Sequence, residues 1–368
     1  MAITPGSTAR ADDFIKDSEA NATPSSDAER VAKLESTGAI HGRFINSGFG
    51  SGADGDATLD GSTNYNSFSS RSGNEYTLTR DAYLDNLTIN SGKTLITDGF
   101  RLFVRNVLDG AGTIKWGTPN TGGNGGVGAG SDAGAGSGGA QGGTGYLKNT
   151  AGANGGNGRS TGGTGPAGVG ASSGTAKTQC LGSNASAGGA GGKGEPGDTN
   201  PSGGSGGSAT APYTTFGTIR ALVGMLMDLK SDGTLAALTG QPGAGGGGGG
   251  DDSSTGNASG AGGGGGASGG IIFIVARIIK GTLTISNVGG AGGNGGNSSG
   301  GNCGGGGGGG GGNGGINIVI YAKKIGSLTH TLTGGTGGTA GTGGSNDASN
   351  GTNGAAGTSY EMTMDSLI

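Results

Sequence analysis

Five stretches of this chain place a side chain at every third position and glycine at the two between. They are Asn154-Gly-Gly-Asn157, Ala187-Gly-Gly-Ala190-Gly-Gly-Lys193, Ser202-Gly-Gly-Ser205-Gly-Gly-Ser208, Ala291-Gly-Gly-Asn294-Gly-Gly-Asn297 and Thr333-Gly-Gly-Thr336-Gly-Gly-Thr339. Three residues per turn is the period of the left-handed polyproline-II helix. One ridge of such a helix carries Ala, Ser, Thr or Asn, and the other two are bare backbone. Bare ridges let neighbouring helices approach until N–H reaches C=O, with Cα–H···O contacts in support. An isolated tract stays open, because ordering a residue costs roughly 1–2 kcal/mol, glycine more. A hydrogen bond returns only about 1 kcal/mol net. Many tracts must therefore pack side by side. Around eleven can be counted between about 121 and 357, and Gly304–Gly312 and Gly245–Gly250, which carry no side chains, belong at the crowded centre. At nine to twelve residues each, the tracts span about 30 Å.

The wider composition narrows the class. The chain has 368 residues, with 99 Gly, 8 Pro, 30% hydrophobic and 12% charged residues. A conventional core of that length would need about 45–50% apolar residues. Collagen needs Pro-rich positions behind every third Gly, and eight prolines do not supply them. A net charge of −4 without a Lys/Arg block argues against nucleic-acid binding. No run approaches the length of a membrane span, so no membrane insertion is expected. Met1-Ala-Ile-Thr-Pro-Gly-Ser7 lacks the basic and apolar regions of a secretory signal.

Along the chain, residues 1–40 have helical composition, with a Ser26-Asp-Ala-Glu29 capping box. They read as an N-terminal attachment arm. Residues 41–120 form a β-rich domain with short runs at Tyr76–Thr79, Asn86–Asn90, Thr94–Thr97 and Phe100–Arg105, suggesting a meander or a solenoid. Residues 121–368 form the glycine-rich scaffold. A helical insertion is expected at about 212–238, where Leu222, Met225, Leu226 and Leu229 share one helical face.

An internal repeat ties these parts together. With Gly110, Gly281 and Gly326 in register, Phe100–Ile114 aligns without a gap to Ile271–Ile285 and Ile316–His330. Each copy is an apolar strand, a turn glycine and a short Thr-bearing strand, followed by a glycine tract. The steps are 171 and 45 residues, so one structural unit is reused with variable insertions.

Motifs for chemistry are sparse. No phosphate-binding G-x-x-x-x-G-K-[ST] occurs, and the chance G-x-G-x-x-G matches lack a strand–turn–helix context. His330 takes the place of Ile114 and Ile285, which reads as a packed or rim histidine. Asp54, Asp56 and Asp60 read as turn residues, with calcium ligation as the alternative. Cys180 and Cys303 read as independent thiols, with one bridge as the alternative. No enzyme activity and no cofactor are expected. Recognition belongs on loops carried by a rigid scaffold, and aromatics there give large contacts at low entropic cost. Tyr146, Lys148, Tyr213 and Phe216 are the candidate receptor-binding residues.

The apolar strand, the Gly281-Thr-Leu-Thr-Ile285 turn, the Gly-Gly-Asn tracts and the run Gly304–Gly312 resemble the glycine-rich virion proteins of tailed bacteriophages. In particular the chain is similar to the distal tip adhesins of T-even-type long tail fibres. That resemblance covers about 121–357, and 76–120 more loosely; 1–120 departs from the short tip adhesins. It implies a polyglycine-II sandwich with specificity loops, joined to other virion proteins through its N-terminal region and binding a protein or glycan receptor on a bacterial surface. It further implies a protein made in the host cytoplasm without a signal and residing in the virion, and homotrimerisation is compatible with a fibre part. The alternatives are a capsid or tail decoration protein without receptor binding and an ice-binding or cell-surface matrix protein.

Overall fold

The computed structural model describes residues 48–128, 133–145, 147–159, 203–207, 243–249, 257–300, 303–343 and 348–364. The chain divides into two compact units, Met1–Asn46 and Ser47–Ile368, and all of the described residues belong to the second. The expected arm at 1–40 and the expected helical insertion at 212–238 lie outside the described residues. Among those residues the fold is mainly β, with no α-helix. Strands β1 (Ala57–Leu59), β2 (Ser69–Ser72), β3 (Glu75–Leu78), β4 (Ala82–Leu84), β5 (Leu87–Ile89), β6 (Thr94–Ile96), β7 (Leu102–Gly110) and β8 (Thr113–Lys115) precede the first glycine tract. Strands β9 (Ile271–Ile279), β10 (Thr282–Ser286), β11 (Ile316–Lys324), β12 (Ser327–Thr331) and β13 (Thr358–Thr363) follow. The short strands alternate as a half-buried sheet requires: Leu87 and Ile89 are buried and Thr88 between them is not. Asp98 (φ 49°) and Gly99 (φ 87°) turn the corner from β6 to β7 in the left-handed region that Gly and Asp tolerate.

The strands form two sheets. One runs β1-β5-β7-β9-β11-β13 with β4 also on β7, and the other runs β12-β10-β8-β6-β3-β2. From β6 to β13 the chain alternates between sheets, and each strand pairs in parallel with the strand two places on. Only β2 and β3 are antiparallel among the described residues, so the meander alternative for 41–120 does not form. Parallel neighbours need long connections, and the strand in the opposite sheet together with the glycine tracts supplies them. Leu84, Ile89, Leu95, Leu108, Ile114, Trp116, Ile274, Ile285 and Val319 fill the core, each contributing about 1.5–3 kcal/mol by burial.

The repeat is the register of this stack. Thr284 pairs with Thr113, 171 residues away; Ile316 with Ile271 and Ser327 with Thr282 keep the 45-residue step. One departure occurs in β7. Leu102 pairs with Ile274, one residue out of phase, and a bulge between Val104 and Val107 restores the 171-residue step at Val107–Ile278. The turn glycines follow from the close approach of successive coils: a Cβ on Gly281 would stand 2.2 Å from Gly110 O, and one on Gly326 1.9 Å from Gly281 O. The β-rich stretch before 120 and the strands after 270 thus share both sheets.

Beyond the strands lie ten described glycine-rich tracts, numbered in chain order: 120–128, 133–140, 150–159, 203–207, 243–249, 257–270, 289–299, 303–315, 333–343 and 348–357. Tracts 1, 7 and 9 continue β8, β10 and β12, whereas tracts 6, 8 and 10 run into β9, β11 and β13. Odd tracts lead away from the strands and even tracts return, as the pairing directions require.

Tract 6 is the hub. Gly260, Gly263, Gly266 and Gly269 donate their N–H groups to tract 8, Ala261, Gly264 and Ala267 to tract 1, and Ser259, Gly262, Gly265 and Ser268 to tract 3, at 2.8–3.1 Å. Its carbonyls accept from tracts 2, 5 and 7. These six neighbours close a ring, each bonded to the next. The contacts are Gly122 N to Ala291 O, Gly306 N to Gly296 O, Gly307 N to Gly247 O, Ala153 N to Gly243 O, Gly152 N to Gly139 O and Gly123 N to Ser137 O. The side-chain-free runs sit where the sequence placed them: Gly304–Gly312 and the described 245–249 are all buried.

A Cβ on Gly264 would stand 1.9 Å from Ser137 O, whereas one on Gly134 meets nothing within 4 Å. Gly264→Ala is expected to lower unfolding free energy by about 2–4 kcal/mol. Gly134→Ala should leave it within about 0.5 kcal/mol, or raise it slightly. Denaturant titration of the two variants checks both.

Candidate functional site

Of the expected receptor-binding residues, Tyr146, Tyr213 and Phe216 lie outside the described residues. Lys148 is described and half-buried, in the loop 141–149 that joins tract 2 to tract 3 at the strand end of the scaffold. This loop is stitched to the corner between β6 and β7. Asp98 accepts from Thr144 N at 3.0 Å and Thr144 Oγ1 at 2.6 Å, while Gly145 N donates to Asp98 O and Leu147 N to Gly99 O. Trp116 Nε1 donates to Leu147 O at 2.8 Å from inside the core. At the loop's far end Asn149 accepts from Gly142 N at 2.6 Å and Gln141 Nε2 donates to Asn149 O at 2.6 Å; Asn149 Nδ2 is buried without a partner among the described residues. A Cβ on Gly145 would stand 2.3 Å from the Gly99 carbonyl. The loop is held at its base and at its middle, with Leu147 buried and Lys148 half-buried beside it.

Tract direction sorts the other connections. The chain leaves the described residues at Gly207 and resumes at Gly243; Gly207 N bonds Gly245 O and Gly243 N bonds Gly266 O. Both points are at the strand end. Arg159, where the chain departs before tract 4, is at the opposite end, since Ser259 N donates to Arg159 O while Ser268 N donates to Thr150 O.

The side-chain ridges have a function that the period alone did not disclose. In all seven Asn-Gly pairs of the chain, at 124, 154, 157, 294, 313, 350 and 353, the asparagine Oδ1 accepts a backbone N–H of an adjacent tract at 2.8–3.0 Å. The N–H of the following glycine donates to a carbonyl of that same tract at 2.8–2.9 Å. Asn294 accepts from Thr339 N while Gly295 N donates to Thr339 O; Asn353 accepts from Gly337 N while Gly354 N donates to Gly335 O. Parallel tracts are gripped at one residue and antiparallel tracts at residues two apart. Each pair is a two-pronged clasp that satisfies a backbone donor the rim would otherwise leave to water. The signal in the sequence was the choice of Asn on ridges such as Asn294 and Asn297, where Ala or Thr keeps the same period. Asn353→Ala is expected to cost about 1 kcal/mol and Asn353→Asp less, because a carboxylate oxygen accepts the same N–H; chemical denaturation ranks the two.

The titratable residues carry structural work. Asp54 pairs with Arg80 and accepts from Tyr83 N at 2.8 Å. Asp56 holds Asn86 through Nδ2 at 2.8 Å. The backbone N–H groups of Thr63 and Ser62 hold the Asp60 carboxyl well below the usual carboxylate range. Asp54 lies in a turn, Asp56 directly before β1 and Asp60 directly after it, and no group of three or more His, Cys, Asp or Glu converges among the described residues. Cys303 is buried at the start of tract 8; Cys180 lies outside the described residues.

His330 pairs opposite Ile285, as the repeat required. Its Nδ1 is 3.2 Å from Asn317 Nδ2 and its Nε2 3.1 Å from Glu361 Oε1. The Asn317 donor leaves Nδ1 as acceptor and Nε2 as donor. Glu361 also accepts from Lys324 Nζ, so one carboxylate ties β13 to β11 and β12. Burial pushes this carboxyl up, but the hydrogen bonds from Lys324 and His330 outweigh it and leave Glu361 below its ordinary 4.5. A depressed carboxyl stabilises the fold above its unfolded pKa and loses that contribution as pH falls through its folded one. The melting temperature of wild type is therefore expected to exceed that of Glu361→Gln at neutral pH, with the gap closing below pH 4.5. A gap independent of pH would contradict this.

Comparison with known proteins found no matching family model, no matching curated protein and no matching solved structure.

Proposed function

We propose that the chain is a phage virion structural protein, a tail fibre or spike component whose loops bind a bacterial surface receptor. The tracts act as polyglycine-II helices; the three-residue alternation of donors in tract 6 supports that reading. The alternating parallel sheets support a solenoid at their base. The observation that carries the functional proposal is the loop 141–149. It is tied at Thr144, Gly145 and Leu147 to Asp98, Gly99 and Trp116 and carries the half-buried Lys148. A rigid support of this kind presents recognition residues at little entropic cost. The N-terminal arm joins the protein to other virion proteins, and the scaffold performs no catalysis.

A second reading is favoured by one face. Thr333, Thr336, Thr339 and Thr342 are all exposed along tract 9, repeating about every 9 Å, which suits an extended periodic surface such as ice or a matrix polymer. Two measurements separate the readings. Labelled protein should adsorb to susceptible cells in a panel of bacterial strains and block infection, with Lys148→Glu and Tyr146→Ala each weakening adsorption about tenfold, or about 1.4 kcal/mol. No adsorption to any strain would sink the receptor reading and leave the decoration alternative. Thermal hysteresis abolished by Thr336→Lys would instead establish the ice-binding one.

A further inference from the structure

The Asn-Gly clasps have a chemical consequence. Asn-Gly is the dipeptide most open to intramolecular imide formation, because glycine's missing side chain leaves its amide nitrogen free to approach the asparagine. That nitrogen attacks Cγ and forms a C–N bond, and the side-chain amide departs as ammonia. Water then opens the imide at either carbonyl to leave aspartate or isoaspartate. The step needs the glycine nitrogen to lose its proton and swing onto Cγ. In this fold both reacting groups are engaged: the glycine N–H in a backbone hydrogen bond and the asparagine Oδ1 by a donor on the same neighbouring tract. Reaction would break both bonds and fold a residue out of its ridge.

We propose that the seven Asn-Gly pairs are latent modification sites that the packed tracts keep shut, and that each becomes reactive only when its tract lifts away. Opening is then recorded irreversibly. An isoaspartate lengthens the backbone by one methylene, which displaces every following residue from the three-residue phase and prevents the tract from closing again. The asparagine chosen to satisfy rim donors also makes the bundle record its own opening. Local opening sets the rate here as it does for amide exchange, so the innermost pair, Asn313-Gly314, with Asn313 buried, should react most slowly.

The test is peptide mapping by mass spectrometry after incubation of the full-length protein at mildly alkaline pH, natively and in denaturant, beside a synthetic Ala-Gly-Gly-Asn-Gly-Gly-Asn peptide. Natively the seven sites should convert at least about tenfold more slowly than in denaturant or peptide, corresponding to about 1.4 kcal/mol or more of opening free energy. Thr339→Ala, which keeps the backbone N–H, should leave Asn294 protected. Thr339→Pro, which removes the donor, should accelerate Asn294 while Asn154 and Asn157, which grip a different tract, stay slow. Native rates equal to the peptide's, or Asn294 unmoved by Thr339→Pro in a protein whose other sites remain slow, would overturn the proposal. Should Thr339→Pro fail to fold, the native-to-denatured ratio decides alone.

Discussion

Everything in this molecule depends on backbone hydrogen bonding between chains that carry no Cβ where they touch. A carbonyl oxygen within about 2 Å of the place a Cβ would occupy recurs through the bundle: Ser137 O at Gly264, Gly293 O at Gly263, Ala267 O at Gly312. At that separation every donor of tract 6 from Ser259 to Gly269 reaches an acceptor, cycling through three neighbours. Satisfying buried backbone groups is obligatory, and three-residue alternation meets that requirement in three directions at once, whereas a sheet meets it in two. Burial of large apolar side chains is concentrated in the strands and the turns beside them, as at Phe68 and Trp116. The strands fix the ends of tracts 1 and 6 to 10 and set their register.

The two sheets and the bundle are consequently one construction. β10 runs on into tract 7, and tract 8 returns into β11. The parallel register between strands carries into parallel register between tracts: the 45-residue step of Ile271–Ile316 is also the step of Asn294–Thr339. The stack of Gly110, Gly281 and Gly326 is the same close approach at the opposite turn. At the rim, where neighbours run out, asparagine takes over the acceptor's part.

Much of this was legible in the sequence. The ungapped alignment of Phe100, Ile271 and Ile316 marked a reused unit, and its 171- and 45-residue steps are those of the pairing except from Leu102 to Val104, ahead of the bulge, which an insertion-free alignment conceals because the shift is undone before the turn glycine. The period of two glycines and a side chain identified the tracts, and the bare runs marked the interior. Which tract lies beside which was not legible, since Gly-Gly steps are interchangeable in pattern and only chain connection and strand order fix the ring around tract 6. The role of asparagine was missed for a related reason: a ridge residue read as a spacer shows its period but not its acceptor. For the site, loop 141–149 was marked by Tyr146 and Lys148, but its anchors were not, because Asp98 and Trp116 are far away in sequence and met only through the fold.

Tract 6 is bonded on all sides, with no residue from 258 to 270 left to solvent, and residue-resolved amide exchange is the sharpest check of that. Slow exchange is expected at every amide from 259 to 269, with no three-residue modulation, while tract 9 should show protection at Gly335, Gly338 and Gly341 and faster exchange at Gly334 and Thr336. Rapid exchange through 259–269, or protection there at only one residue in three, would contradict it.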